Sequence, residues 1–335
     1  MSKCIGCGAV LNTNKDTIGY SSNINGNLCE RCFRIRNYNE YKVVIKDNSE
    51  YIDILKSING DDLVILVVDL LNINNKLDEI GKYLNNNILL VLTKYDLMPS
   101  NNEDKFKSFF SKFNLNIIDT IIISSNNNYN FDLLLDSINK YKTSKKIYVV
   151  GYTNAGKSSM INKLLYNYSN SVEYITTSNL PSTTLNTIEI KLNDLILIDT
   201  PGLLDNSIIG YLDNDLIKKI IPKKKIKPIT YQIKDYQVID IENILKIECS
   251  NTNLTFYMSN NLNINRYYKK VDFPNLKKYS LNVKKSEDIV ILGLGFIHVS
   301  NDSNITIYVV GDTSVFVRDA LIGGNIWKRI LLLFY

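Results

Sequence analysis

The chain has 335 residues, 45% of them hydrophobic and 22% charged, a balance ordinary for a globular protein of one to three domains. No apolar run approaches the ~18–20 residues of a membrane helix, and no basic stretch followed by an apolar one opens the chain, so neither a membrane span nor a secretory signal is expected. The net charge of +5 is uneven: residues 1–46 carry +4, residues 47–215 carry −7 and residues 216–335 carry +8. Basic flanks of this kind suit an anionic partner or, equally, a solvated surface.

Four of the five cysteines fall in residues 1–46, as Cys4-Ile-Gly-Cys7 and Cys29-Glu-Arg-Cys32. Two Cys-x-x-Cys pairs 21 residues apart fit a structural zinc ribbon or treble-clef knuckle. Four thiolates close a tetrahedral shell, so such a Zn²⁺ would be structural. The alternatives are two disulfides, disfavoured without a secretory signal, or four unrelated thiols. Arg31 lies within the second pair and Arg34 and Arg36 follow it, with Phe33 and Tyr38 interleaved, a mixture found in zinc modules that bind nucleic acid. Cys249 stands alone and reads as a small core residue.

Residues 47–215 alternate strand-like and helix-like segments. Strands are expected at Leu63–Asp69, Ile88–Thr93, Thr120–Ser124 and Lys146–Val150. Helices are expected at Lys76–Leu84, Glu103–Phe113, Phe131–Tyr141 and Lys157–Leu165. Two adjacent strands, Thr187–Leu192 and Leu195–Asp199, flank a tight turn at Asn193-Asp194. The alternation predicts an α/β domain with a largely parallel sheet, whose ligands gather at the carboxyl ends of its strands.

Polar motifs lie at those ends. Thr93-Lys94-Tyr95-Asp96 follows the second strand. The Asp96 carboxylate can accept from guanine N1–H and the 2-amino group, whereas adenine offers an acceptor at N1; the Lys94 stem can lie over the base. Ser124-Ser125-Asn126 would support the base through backbone N–H groups. Gly151-Tyr-Thr-Asn154-Ala155-Gly156-Lys157-Ser158 matches the phosphate-loop pattern between a strand and a helix. Its amides, from Asn154 to Ser159, would surround the phosphates at a helix N-terminus. Lys157 would reach the β- and γ-phosphates, and Ser158 would ligate Mg²⁺. Asp199-Thr-Pro-Gly202 places a carboxylate for Mg²⁺ and a glycine N–H for the γ-phosphate. Thr183 and Thr184 precede it; either hydroxyl suits Mg²⁺, with Thr184 favoured. These parts make a GTP/GDP site, but the base-reading segments precede the phosphate loop, so the GTPase domain is circularly permuted.

Residues 216–335 begin with a short helix, Leu216–Ile221, before Pro222 and Lys223-Lys-Lys-Ile-Lys227. Strands are expected at Tyr236–Ile241, Ile244–Cys249, Leu254–Met258, Ile289–Val299 and Asn304–Val310. Arg266-Tyr-Tyr-Lys-Lys270 and the lysine pairs at 277–278 and 284–285 suit an RNA backbone and exposed bases. A basic, β-rich RNA-binding domain is expected, with an inert basic surface as the alternative. His298 reads as a strand-packing residue.

With its Lys3–Gly8 knuckle, permuted order, Gly151–Ser158 loop and β-rich end, the chain resembles the YqeH family of circularly permuted, ribosome-associated GTPases over nearly its whole length. Pro181-Ser-Thr-Thr184 stands where the family commonly has P-G-T-T. The resemblance implies a role in small (30S) subunit assembly through rRNA. It also implies that Asn154 ligates K⁺, giving potassium-stimulated hydrolysis, with a loop-stabilising amide as the alternative. Leu203 occupies the place of the glutamine that orients water in Ras-like proteins, so slow intrinsic turnover is expected. The catalytic set is then Lys157, Thr184, Gly202 and Asn154. The competing reading is an RNA scaffold that binds nucleotide and hardly hydrolyses it. A cytoplasmic, bacterial-type monomer is expected, with an organellar home left open.

Overall fold

The structure is a computed structural model that describes residues 2–15, 17–23, 25–38, 48–169, 186–271 and 275–322. The chain packs as two compact units, one formed by residues 1–96 and 113–205, the other by 97–112 and 206–335.

The first unit holds a six-stranded sheet in the order β3-β2-β1-β4-β6-β5. Its strands are β1 (Leu63–Asp69), β2 (Ile88–Thr93), β3 (Ile117–Ile122), β4 (Lys146–Val150), β5 (Ile188–Leu192) and β6 (Leu195–Asp199). All neighbours run parallel except β5 and β6, an antiparallel hairpin whose turn uses Asn193 at φ +55°. β1 and β2 are buried at every position, which is why they read as continuous apolar runs instead of alternating ones. Helices α5 (Phe131–Tyr141) and α6 (Lys157–Tyr168) cover one face. Phe131, Leu134, Ile138, Met160, Ile161, Leu164 and Leu165 pack there against inward residues of β1, β2, β4 and β6. Three further helices belong to this unit: α1 (Glu30–Tyr38), α2 (Asn48–Ser57) and α3 (Leu77–Gly81). The strand that enters the phosphate loop, β4, lies between β1 and β6, although β1 and β2 come earlier in the chain. This is a circularly permuted P-loop GTPase sheet, with its strand ends intact and its chain order rotated.

The second unit carries two five-stranded antiparallel sheets. One, ordered β16-β13-β14-β10-β7, contains β7 (Ile229–Ile233), β10 (Thr252–Met258), β13 (Glu287–Ile291), β14 (Gly295–Val299) and β16 (Val315–Asp319). The other, ordered β11-β8-β9-β15-β12, contains β8 (Gln237–Ile241), β9 (Leu245–Cys249), β11 (Ile264–Tyr267), β12 (Leu276–Val283) and β15 (Ser303–Val310). The single strand expected over Ile289–Val299 is a hairpin. Gly293 at φ +85° reverses the chain, so β13 and β14 pair with each other. Helix α7 (Asn214–Ile220) is capped by the Asp213 side chain, which accepts from the N–H groups of Asp215 and Leu216.

Helix α4 (Glu103–Phe109) lies in the second unit, although its sequence falls between β2 and β3. Leu97 O accepts from Ile226 N–H at 3.0 Å, Lys112 pairs with Asp319 at 3.2 Å, and the Arg318 guanidinium lies 5.5 Å from the Phe109 ring centre. The segment after Asp205 enters the same unit, with Asn206 O accepting from Ser314 N–H and Ile208 N–H donating to Leu292 O. Among the described residues no helix is long and apolar enough to cross a membrane.

Candidate nucleotide site and cysteine centre

The parallel strands deliver Asp69, Thr93, Val150 and Asp199 to one edge of the sheet. After β4 the chain leaves at Gly151, where φ is +149° and a Cβ would come 2.3 Å from Val67 O, so only glycine fits. Gly151 N–H donates to the Tyr51 hydroxyl at 3.2 Å. Asn154 at φ +59° and Gly156 at φ +97° close the loop, and α6 begins at Lys157. The buried Lys157 ammonium donates to Gly151 O at 3.2 Å and Tyr152 O at 3.1 Å. Burial pushes its pKa down to about 8, against the pull of the nearby Asp199 carboxylate. A desolvated cation beside helix-start amides favours an arriving anion.

Ser158 Oγ donates to Asp199 Oδ2 at 3.0 Å, both residues being buried, so a hydroxyl and a carboxylate stand within reach of one hard cation. Past Asp199 the chain returns to the phosphate loop. Leu203 N–H donates to Gly151 O at 3.1 Å, and Thr153 N–H donates to Leu203 O at 3.0 Å. A Cβ on Gly202 would sit 2.8 Å from the Thr153 backbone, so this approach requires the glycine. Asn48 fastens the next residue, exchanging two hydrogen bonds with the Leu204 backbone. Asp205 follows. Burial raises its carboxyl to about 7, and the Asp69 charge adds to the rise.

On the base side, Thr93 Oγ1 donates to Ala155 O at 2.6 Å and so joins the two loops. Ser124 Oγ donates to Asp96 Oδ1 at 2.8 Å, and Asn126 Nδ2 to Oδ2 at 3.0 Å. The sequence suggests backbone support from 124–126; here the Ser124 and Asn126 side chains aim the carboxylate itself. Lys94, at φ +60°, pairs through Nζ with Asp69 Oδ2 at 2.7 Å. Asp69 belongs to none of the sequence motifs; its signal is a lone carboxylate ending an apolar strand. Ser125 is half-buried beside these groups, and Ser159 is exposed on α6. Thr183 and Thr184 lie outside the described residues.

Cys4, Cys7, Cys29 and Cys32 are all buried and free of disulfides, and their sulfurs lie within 4.8 Å of one another. Cys29 N–H donates to Cys4 Sγ at 3.3 Å, and the neighbouring thiols hold Cys4 well below the usual thiol range. Four buried sulfurs this close together make a dry, all-sulfur shell that fits Zn²⁺. Ala9, Leu11 and Leu28 pack around it. Asn186 N–H donates to Cys7 O at 3.1 Å, and Asn186 Nδ2 to Gly8 O at 3.2 Å, so this module is bound to the chain just before β5.

The Bacillus subtilis (strain 168) protein YqeH is 33% identical over 367 aligned positions, covering 95% of this chain and 99% of its own. The chain belongs to the YqeH family. The family model described as "50S ribosome-binding GTPase" matches residues 146–251, which include the phosphate loop and Asp199–Gly202. The NO-associated protein 1, chloroplastic/mitochondrial, of Arabidopsis thaliana is 24% identical over 70% of this chain and 49% of its own. GTPase Der of Mycoplasma mycoides is 29% identical over 46% of this chain and 37% of its own. Membership of the YqeH family, the permuted P-loop sheet and the GTPase model over residues 146–251 make the chain a GTPase-family GTP hydrolase.

In the second unit, Cys249 is buried and its thiol is pushed up to about 12 by burial. His298 Nδ1 lies 3.0 Å from the buried Asp288 carboxylate, within the strand layer. Of the Arg266–Lys270 run, Arg266 gives Nε and a terminal nitrogen to Gln237 Oε1, and its plane lies 4.9 Å from the Tyr231 ring centre. Tyr267, Tyr268, Lys269 and Lys270 are exposed, as are Lys277, Lys278, Lys284 and Lys285.

Proposed function

We propose that this chain binds GTP, hydrolyses it in a Mg²⁺-dependent and K⁺-stimulated reaction, and uses the cycle in assembling the small ribosomal subunit through contacts with rRNA. The observation that carries the nucleotide part is the Asp96 carboxylate, held by Ser124 and Asn126 on the same sheet edge as the phosphate loop. Two aimed oxygens accept the N1–H and N2–H of guanine, while the acceptor at adenine N1 faces them unfavourably. The phosphates would lie on the amides of Asn154–Ser159, and Lys157 would exchange its carbonyl partners for phosphate oxygens. Ser158, Asp199 and Thr184 would hold Mg²⁺, which neutralises charge on the β- and γ-oxygens. Gly202 N–H would face the γ-phosphate. Asn154 would hold K⁺, whose charge substitutes for an arginine finger.

The small subunit is the partner implied by the family resemblance, and the exposed lysines and tyrosines of residues 216–335 support an RNA contact. A cytoplasmic, bacterial-type monomer fits this reading. The second reading, a nucleotide-binding RNA scaffold, is favoured by Leu203, which has no side-chain group to orient water. Single-turnover hydrolysis in K⁺ and Na⁺ buffers, with and without small-subunit particles, separates the two. Faster turnover in K⁺ and with particles is expected. Equal rates in both salts would remove the potassium assignment, and negligible turnover throughout would favour the scaffold.

A further inference from the structure

The base-reading lysine is not left to find the base by itself. Lys94 leaves β2 in a left-handed backbone conformation, at φ +60°, and its ammonium meets the Asp69 carboxylate at 2.7 Å. Asp69 comes from β1, the neighbouring strand, where it is the register partner of Thr93. Its side chain is 5% exposed and that of Lys94 33% exposed, so the pair is buried at one end and open at the other. The carboxylate accepts two more hydrogen bonds, from Leu71 N–H at 2.9 Å and Asn72 Nδ2 at 2.8 Å. Those donors fix its orientation independently of the lysine, so it is a rigid anchor and not a mobile partner.

A lysine side chain has four rotatable bonds, and ordering it costs conformational entropy. If the ammonium is tethered before nucleotide arrives, much of that ordering is already done, and the methylene stem is offered as a surface for the purine plane. On the reading of residues 93–96 as the guanine site, we infer that Asp69 is a positioning residue for base recognition, acting on the nucleotide through Lys94 and not through the phosphates. Val67, two residues earlier on the same strand, lies against Gly151 of the phosphate loop. Asp69 thus stands at the strand end between the two halves of the site: its ion pair with Lys94 belongs to the base half, while its charge also reaches Asp205.

The test is a double-mutant cycle on the full chain, read by binding of fluorescent GDP. Asp69→Asn is expected to weaken binding about 5- to 30-fold. Lys94→Met keeps most of the stem but removes the ammonium; in that background Asp69→Asn is expected to change affinity less than 2-fold. Binding of inorganic triphosphate, which has no base, is expected to be the same in all four proteins. Equal losses from Asp69→Asn in both backgrounds, or an equal loss of triphosphate binding, would overturn the inference and assign Asp69 to holding the 70–72 turn. If Asp69→Asn proves poorly folded, Asp69→Glu, which keeps the charge but displaces it, is expected to give a smaller loss that again disappears with Lys94→Met. Absence of GDP binding by the unmodified chain would instead defeat the guanine-site reading.

Discussion

Asp205, one residue past the segment paired with the phosphate loop, carries a strongly shifted carboxyl. Burial raises its carboxyl to about 7, and the Asp69 charge reinforces the rise, while its hydrogen bond with Asn74 works the other way. Because the folded value lies above the unfolded one, the native state holds a proton that the unfolded chain has already released between about pH 4 and pH 7. The associated stability is full below the unfolded value and is lost as pH rises through 7, with an upper bound of about 4 kcal/mol. Asp205→Asn is therefore expected to melt at a higher temperature than the unmodified protein at pH 8, with the gap closing towards pH 5. Melting curves at a series of pH values check this, and a gap that does not vary with pH would refute it. Lys157 has the opposite sense. Its lowered value means that its charged form is costly in the folded protein below about pH 8, and a bound phosphate would relieve that cost. In both groups burial disfavours the charged form where a ligand is expected, which is a common property of functional clefts.

At the scale of elements, the join between the cysteine module and β5 links the two candidate metal centres. Asn186 holds Cys7 and Gly8, and two residues later Ile188 pairs with Asp199, the carboxylate bonded to Ser158. Gly8 has φ +75°, and a Cβ on it would come 2.8 Å from Asn186 O. Gly8→Ala is expected to cost roughly 1–3 kcal/mol, to speed release of bound zinc to a chromogenic chelator, and to raise amide exchange over β5. Release and exchange rates unchanged by the substitution would show that the join carries no load. Most of these elements were legible in the sequence because each motif combines a local backbone need with a chemical one: glycines where φ is positive, a carboxylate or cation where a strand ends. The Ile289–Val299 hairpin was not, since an apolar run is the same whether it continues or reverses, and only Gly293 marked the turn. Asp69 escaped for a similar reason: nothing near it in sequence shows that Lys94 will arrive from the next strand. The position of α4 was equally hidden, because Phe106, Phe109 and Phe110 form an apolar stripe that fits either core.

Over the whole molecule, the chain passes between the two units at 96/97, 112/113 and 205/206. The first passage follows Asp96 directly, and the last follows the segment paired with the phosphate loop. The GTPase unit is thus not a contiguous piece that can be excised. A chain ending at residue 205 would keep α4 but lose the residues that cover it, exposing Phe106, Phe109 and Phe110, all buried in the full protein. Such a truncation is expected to bind a hydrophobic dye strongly and to aggregate on size-exclusion chromatography, and replacing the three phenylalanines by serine is expected to reduce both effects. A monodisperse 1–205 fragment that leaves the dye dark would contradict this. The same threading has a consequence during synthesis. Lys112 meets Asp319, 207 residues further along the chain. At roughly 5–20 residues per second a translating ribosome takes on the order of 10–40 s to cover that distance. Until then the native cover of α4 stays incomplete, so the second unit closes only late in synthesis.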